Sequence, residues 1–138
     1  MGHTRFHFSL STMTKILGCV FLFVLGCGPG YSDFSEKVGN GYYYYRTSPI
    51  DRFIAPKIWN DKTPIIPSKV VKYRKHDGYV TAKREIIQMG SSGSRVTSGT
   101  FDYWILNTAT PVVYGPMDKS EFDLRVVKLS LSEKLALH

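Results

Sequence analysis

The stretch Ser68-Lys69-Val70-Val71-Lys72-Tyr73-Arg74-Lys75-His76-Asp77-Gly78-Tyr79-Val80-Thr81-Ala82-Lys83-Arg84-Glu85-Ile86-Ile87 decides the fold. Two runs rich in valine, isoleucine, tyrosine and threonine flank Lys75-His76-Asp77-Gly78. An Asp-Gly pair between alternating β-rich runs is a strong hairpin signal, because both residues tolerate the positive φ that a tight turn demands. The face bearing Lys72, Arg74 and Lys83, with Lys69 beside it, is basic. Such a face attracts phosphate or, more plainly, is solvated and keeps the sheet from aggregating.

The same pattern extends in both directions. Upstream, Asp33 to Val38 reads as a strand, Gly39-Asn40-Gly41 as a turn and Tyr42-Tyr43-Tyr44-Tyr45-Arg46-Thr47 as a strongly β-favouring strand. Strand side chains alternate, so the four tyrosines divide two to each sheet face. Phe53-Ile54-Ala55-Pro56 and Ile65-Ile66-Pro67 are short apolar pieces bounded by proline, which suits edge strands or extended loops. Downstream, Met89 to Gly99 is rich in glycine and serine and has no periodicity, so a mobile surface loop is expected. It lacks the Gly-Lys-Ser/Thr ending of a phosphate loop. Thr100 to Asn107 resumes as a strand, and Asn107-Thr108-Ala109-Thr110 turns it into Pro111-Val112-Val113-Tyr114. Gly115-Pro116 breaks that pattern, and Asp118 with Glu121 three residues on resembles a capping box. A helix should then run to about Leu129, with Phe122, Leu124 or Arg125, Val126 and Leu129 near the 3.6 period. A last turn, Ser132 to Leu137, should dock Leu135 and Leu137.

The chain has 138 residues, room for one domain, and is 43% hydrophobic and 14% aromatic, too apolar to stay disordered. Its formal charge is +7. Much of the remaining information lies at the N-terminus. Ile16 to Leu25 is an uncharged apolar run after Lys15, too short to span a bilayer, which takes about 20 apolar residues, but proportioned like the apolar region of a signal peptide. Arg5 and Lys15 leave with residues 1–26, so the remainder carries 16 basic and 11 acidic side chains, a mild +5. Met13-Thr14-Lys15 would make a compact start, so the leader has two candidate beginnings, Met1 and Met13.

Val24-Leu25-Gly26-Cys27 resembles the lipobox of bacterial lipoproteins, in which the cysteine thiol takes a diacylglyceryl group by thioether formation and becomes the new N-terminus. Two acyl chains, at about 0.8 kcal/mol per buried methylene, suffice for stable anchoring. Both cysteines, Cys19 and Cys27, lie in or beside the apolar run, so a chain starting at Cys27 has no second thiol and forms no internal disulfide. The alternative is an ordinary secretory signal cut among Gly26, Gly28 and Gly30, or a short uncleaved anchor, with Cys27 incidental. The organisation expected is therefore a signal peptide over 1–26, a lipidated tether over 27–32 and a single domain over 33–138.

Ile54-Ala55-Pro56, Ile66-Pro67-Ser68-Lys69-Val70, Tyr103-Trp104-Ile105-Leu106-Asn107 and Tyr114-Gly115-Pro116-Met117-Asp118 with Phe122 together resemble, in that order, a family of small bacterial proteins. Many of that family are lipoproteins, and they are classed as a domain of unknown function. The resemblance spans most of the chain after the leader; the four tyrosines and the Gly/Ser segment depart from it. It implies no substrate, cofactor or catalytic residue.

Catalytic constellations are sparse. After Cys27 the chain holds only His76 and His138, no zinc-ligand spacing and no Gly-x-Ser-x-Gly elbow. Paired carboxylates among Asp51, Asp61, Asp102 and Asp123 would be needed for a hydrolase. Trp104 sits in an apolar strand and is expected in the core. Trp59 sits in a polar, proline-flanked segment, either as a lid over the core edge or, with Tyr43 and Tyr45 among the four tyrosines, as a binding hot spot. The expectation is an α+β domain: an antiparallel sheet of hairpins, five to seven short strands, with a C-terminal helix packed on one face. It is tethered extracytoplasmically to a cell or outer membrane by lipidated Cys27. Its expected role is non-enzymatic: binding an envelope protein or other component, without metal, cofactor or nucleic acid. A surface inhibitor or immunity protein is the alternative, and a small envelope hydrolase a third.

Overall fold

The structure, a computed structural model, describes residues 33–138. The expected leader, Cys27 and the tether lie outside them. Among the described residues, seven strands form two antiparallel sheets. β1 (Phe34–Lys37), β2 (Tyr42–Arg46) and β3 (Arg52–Pro56) make a three-stranded sheet in that order. β4 (Val70–His76), β5 (Tyr79–Met89), β6 (Arg95–Asn107) and β7 (Val112–Met117) make a four-stranded one. Helix α1 (Lys119–Lys128) and a 3-10 turn, Glu133–Leu135, follow.

The strand count matches the expectation, but a single sheet does not. The reason lies between β3 and β4. The connecting segment carries Pro64 and Pro67, which donate no backbone hydrogen bond, and it touches β3 through an isolated bridge from Ile66 to Ile54 rather than through a ladder. The two sheets still share a core. Val38, Tyr42 and Ile54 of the first half, Ile66 of the crossing segment, and Val70, Val80, Ala82, Trp104 and Leu106 of the second form one buried cluster. The other parity of β6 feeds a second cluster, in which Ile105 meets Phe122 and Leu137. The four-stranded sheet thus buries side chains on both faces.

The Asp77-Gly78 turn is tighter than the four-residue turn expected. His76 pairs with Tyr79, and both turn residues have positive φ, 47° and 77°. A larger correction concerns Met89 to Gly99, which is not a loop. Ile87, Gln88 and Met89 pair with Thr97, Val96 and Arg95, so the hairpin continues to a tip at Gly90–Ser94. Serine and threonine can serve a ladder through their backbones whatever their composition suggests; the irregularity between Glu85 and Ile87, with Gly99 at φ 72°, absorbs the mismatch in register. Gly115-Pro116 likewise does not end β7. The strand runs to Met117 with a register shift, and Gly115 is needed because a Cβ there would lie 2.6 Å from the Trp104 ring.

The expected capping box is formed: Asp118 accepts from the Glu121 amide at 2.8 Å, and Glu121 accepts from the Asp118 amide. Leu135 and Leu137 are buried, and Thr81 donates to the Leu135 carbonyl at 2.7 Å. Lys69 of the basic face is spoken for by Glu85 at 2.8 Å, and Lys83 stands 4.2 Å from the Phe101 ring centroid.

One polar cluster joins the two sheets. Tyr73 Oη and Lys75 Nζ both donate to the Glu36 carboxylate at 2.6 Å. Lys75 first, then Tyr73, holds the Glu36 carboxyl below its ordinary value, while burial and Glu36 push the Tyr73 hydroxyl up. A depressed folded-state value adds stability above the unfolded value near 4.5, and that stability is lost as pH falls through the folded one. Lys75 and Glu36 keep 42% and 40% of their side-chain surface in water, so the contribution is about 1 kcal/mol or less. Melting followed from pH 7 to pH 3 should decline below about pH 4.5. Glu36→Gln should start lower and decline less; an identical acid limb in the variant would remove Glu36 from the account.

Candidate functional site

The outer face of the three-stranded sheet gathers the three aromatic residues expected to bind. Alternation along β2 sends Tyr42 and Tyr44 inward. Tyr42 is buried, its hydroxyl pushed up by burial and donating to the Pro64 carbonyl at 3.1 Å, and the Tyr44 ring lies 4.7 Å from that of Tyr73. Tyr43 and Tyr45 therefore face out, with ring centroids 6.1 Å apart. Register then adds a residue that sequence reading missed. Phe53 of β3 pairs with Tyr45, and the two rings stack at 5.1 Å. Trp59 continues the series, 6.1 Å from Phe53 and tilted by 57°.

Trp59 reaches this face because the chain doubles back after Pro56. The Asn60 side chain accepts from the Lys62 amide at 3.0 Å, the Thr63 amide donates to the Asn60 carbonyl at 3.0 Å, and the Thr63 hydroxyl accepts from the Asn60 amide at 3.1 Å. This pinned turn presents the indole on a short, closed segment. Trp59 keeps 48% of its surface exposed. At the other end of the row, Lys57 Nζ lies 5.5 Å from the Tyr43 ring centroid.

Beside Trp59 opens a groove of about 280 Å³ lined by Asp51, Phe53, Trp59, Ile65, Pro67 and Ser68. Its walls are mostly apolar. Asp51 supplies the charge: its carboxylate receives Arg95 at 2.9 Å and Ser48 at 3.0 Å, which together hold it below its ordinary value. Arg95 arrives from β6 because the hairpin arm is longer than the sequence suggested. No local signal announces Phe53, Asp51 or Arg95 as neighbours of Trp59; only the register of β2 against β3 and the reach of β6 bring them there.

Three of the four carboxylates considered for hydrolysis are each paired with a cation. Asp51 pairs with Arg95, Asp102 with Arg84 and Asp123 with Lys119. His76 Nε2 lies 3.0 Å from the carboxylate of Asp77, its neighbour in the turn. Among the described residues, no group of three or more His, Cys, Asp or Glu side chains is placed to hold a metal ion.

No curated protein and no solved structure matches the chain. A family model does, over residues 39–138, which takes in β2 to β7, the aromatic row, the groove and the whole C-terminal helix. With well over half its length so matched, the chain belongs to the family described as protein of unknown function (DUF3997).

Proposed function

We propose that this chain is a lipid-anchored protein of the bacterial cell envelope, held to its membrane by acylated Cys27, with a non-enzymatic role. In this reading it holds an envelope protein against the outer face of the three-stranded sheet. The observation that carries the binding role is the row Tyr43, Tyr45, Phe53 and Trp59, which ends at an apolar groove with one ionic pair at its mouth. Aromatic side chains bring a large apolar area with little rotamer freedom to lose, and tryptophan and tyrosine are over-represented where binding energy concentrates. The anchor rests on Cys27, one glycine past the end of an apolar run, in a chain whose other cysteine lies within that run.

The test has two arms. Cells fed a clickable palmitate analogue should label the native chain and not Cys27→Ala. A photo-crosslinking residue at Lys62, exposed on the same turn, should capture an envelope protein, and Trp59→Ala should weaken that capture by about thirty-fold, the effect of losing about 2 kcal/mol. Melting should hardly change, because the indole is half exposed. Equal labelling of Cys27→Ala removes the anchor, and capture indifferent to Trp59→Ala removes the aromatic face.

The inhibitor reading draws on a different feature. The β5–β6 arm carries a tip, Ser91 to Thr97, exposed throughout. It favours insertion into a foreign cleft, and capture from Ser92 rather than Lys62 would support it.

A further inference from the structure

One end of the three-stranded sheet carries an unusual row. Phe34 pairs with Arg46, and Arg46 pairs with Arg52, so the three side chains share one face at the start of β1, the end of β2 and the start of β3. Like charges directly opposite one another destabilise a sheet. Five other basic side chains, Lys69, Lys75, Arg84, Arg95 and Lys119, have carboxylates within 4 Å, but neither arginine of this row does. Arg52 Nε is shut off from water without a hydrogen-bond partner. Arg46 stands 5.5 Å from the centroid of the Phe34 ring, which is 43% exposed.

The acids nearby are otherwise engaged or turned away. Glu36, two residues from Phe34 on the same face, is taken by Tyr73 and Lys75. Asp51 lines the groove on the opposite face with Arg95, and Asp33, just before β1, makes no ion pair with either arginine among the described residues. Two guanidinium groups and an exposed ring thus share one end of the sheet with no carboxylate within 4 Å among the described residues.

We propose that this row, Phe34, Arg46 and Arg52, is the bilayer-facing end of the domain, seating anionic phospholipid headgroups between the two arginines with Phe34 at the headgroup level. The inference rests on the anchor proposed above. Cys27 and Asp33 are six residues apart, a covalent reach of no more than about 20 Å. β1 begins at the next residue, so the end of the sheet bearing the row is the one the lipid holds closest to the membrane. Arginine forks match phosphate oxygens bidentately, and an anion between the pair relieves their repulsion. It also offers Arg52 Nε the acceptor it lacks, once the side chain turns outward.

The test uses the acylated protein on vesicles with a spin label at Pro49→Cys, in the exposed turn after β2, or at Ala109→Cys, exposed beyond the far end of the sheet. Accessibility to a water-soluble nickel chelate is the readout. On vesicles containing phosphatidylglycerol, the label at 49 should be shielded several-fold more than on phosphatidylcholine alone. Each arginine near an anionic surface contributes about five-fold, so Arg46→Gln with Arg52→Gln should abolish the difference while leaving melting unchanged or higher. High salt should act like the double variant, and the label at 109 should not respond. Equal accessibility on both vesicles, shielding that survives the double variant, or shielding at 109 overturns the proposal. Flotation with phosphatidylcholine vesicles scores the anchor separately. A chain that fails to float removes both readings; one that floats without the lipid-dependent shielding removes this one alone.

Discussion

Phe122→Ala is expected to lower stability by about 3–5 kcal/mol, the range for deleting a fully buried ring. Phe122 has no exposed surface, and its ring lies 5.3 Å from that of Tyr103. It shares a cluster with Ile105 and Leu137, and Val126, Leu129 and Leu131 pack against the same group. Truncation therefore removes apolar contact from β6, the helix and the C-terminal segment together, and leaves a cavity that three separate elements would have to move to fill. A domain of this size loses about 4–8 °C of melting temperature per kcal/mol, so thermal unfolding followed by circular dichroism should shift down by more than about 10 °C. Leu124→Ala, two residues away on the same helix but 72% exposed, should stay within about 0.5 kcal/mol of the native chain. A small shift for Phe122→Ala, or a comparable one for Leu124→Ala, would mean that the helix meets the sheet through another face.

That contrast also marks how far the sequence can be read. The 3.6-residue spacing named Phe122 as inward and could not choose between Leu124 and Arg125. The structure half-buries Arg125, whose guanidinium lies 4.8 Å from the Tyr114 ring centroid, and leaves Leu124 in water. Hydrophobicity alone cannot foresee a long cation lying across an aromatic ring. The Asp77-Gly78 turn and the Asp118 cap were legible because each depends on backbone chemistry within four residues. Tyr43 and Tyr45 were legible as a facing pair for the same reason, since alternation is local. Phe53 opposite Tyr45 was not, because pairing depends on where the chain turns between Arg46 and Arg52, and a Ser48 hydroxyl accepting from the Ile50 and Asp51 amides sets that turn. The Gly/Ser segment misled for the opposite reason: composition describes side chains, while a ladder is made by amides and carbonyls, and β6 needs only one glycine with positive φ to keep its register.

Asp102→Ala should cost a similar amount, about 3–5 kcal/mol, by a different mechanism. The Asp102 carboxylate is 7% exposed and accepts three bonds: from Arg84 Nε at 3.0 Å, from Arg84 Nη2 at 2.5 Å and from Trp104 Nε1 at 2.7 Å. Arg84, 17% exposed, also donates to the Ser68 carbonyl and lies 5.3 Å from the Trp104 ring centroid. Removing the acid strands a mostly buried guanidinium and leaves an indole N–H without an acceptor, so the loss exceeds what the pair contributes on balance. The sign of a double-mutant cycle separates this from simple loss of packing. Arg84→Met together with Asp102→Ala should recover part of what Asp102→Ala loses, because no buried charge is then left alone, whereas costs that simply add would place the effect in packing. The double variant also loses the bond from Arg84 to the Ser68 carbonyl, and Ser68 lines the groove beside Trp59. Its stability should therefore return further than its capture of a partner from Lys62, since the ionic network holds the groove floor in place as well as the core. Equal recovery of both would show that the floor is fixed by the Ile54–Ile66 bridge alone.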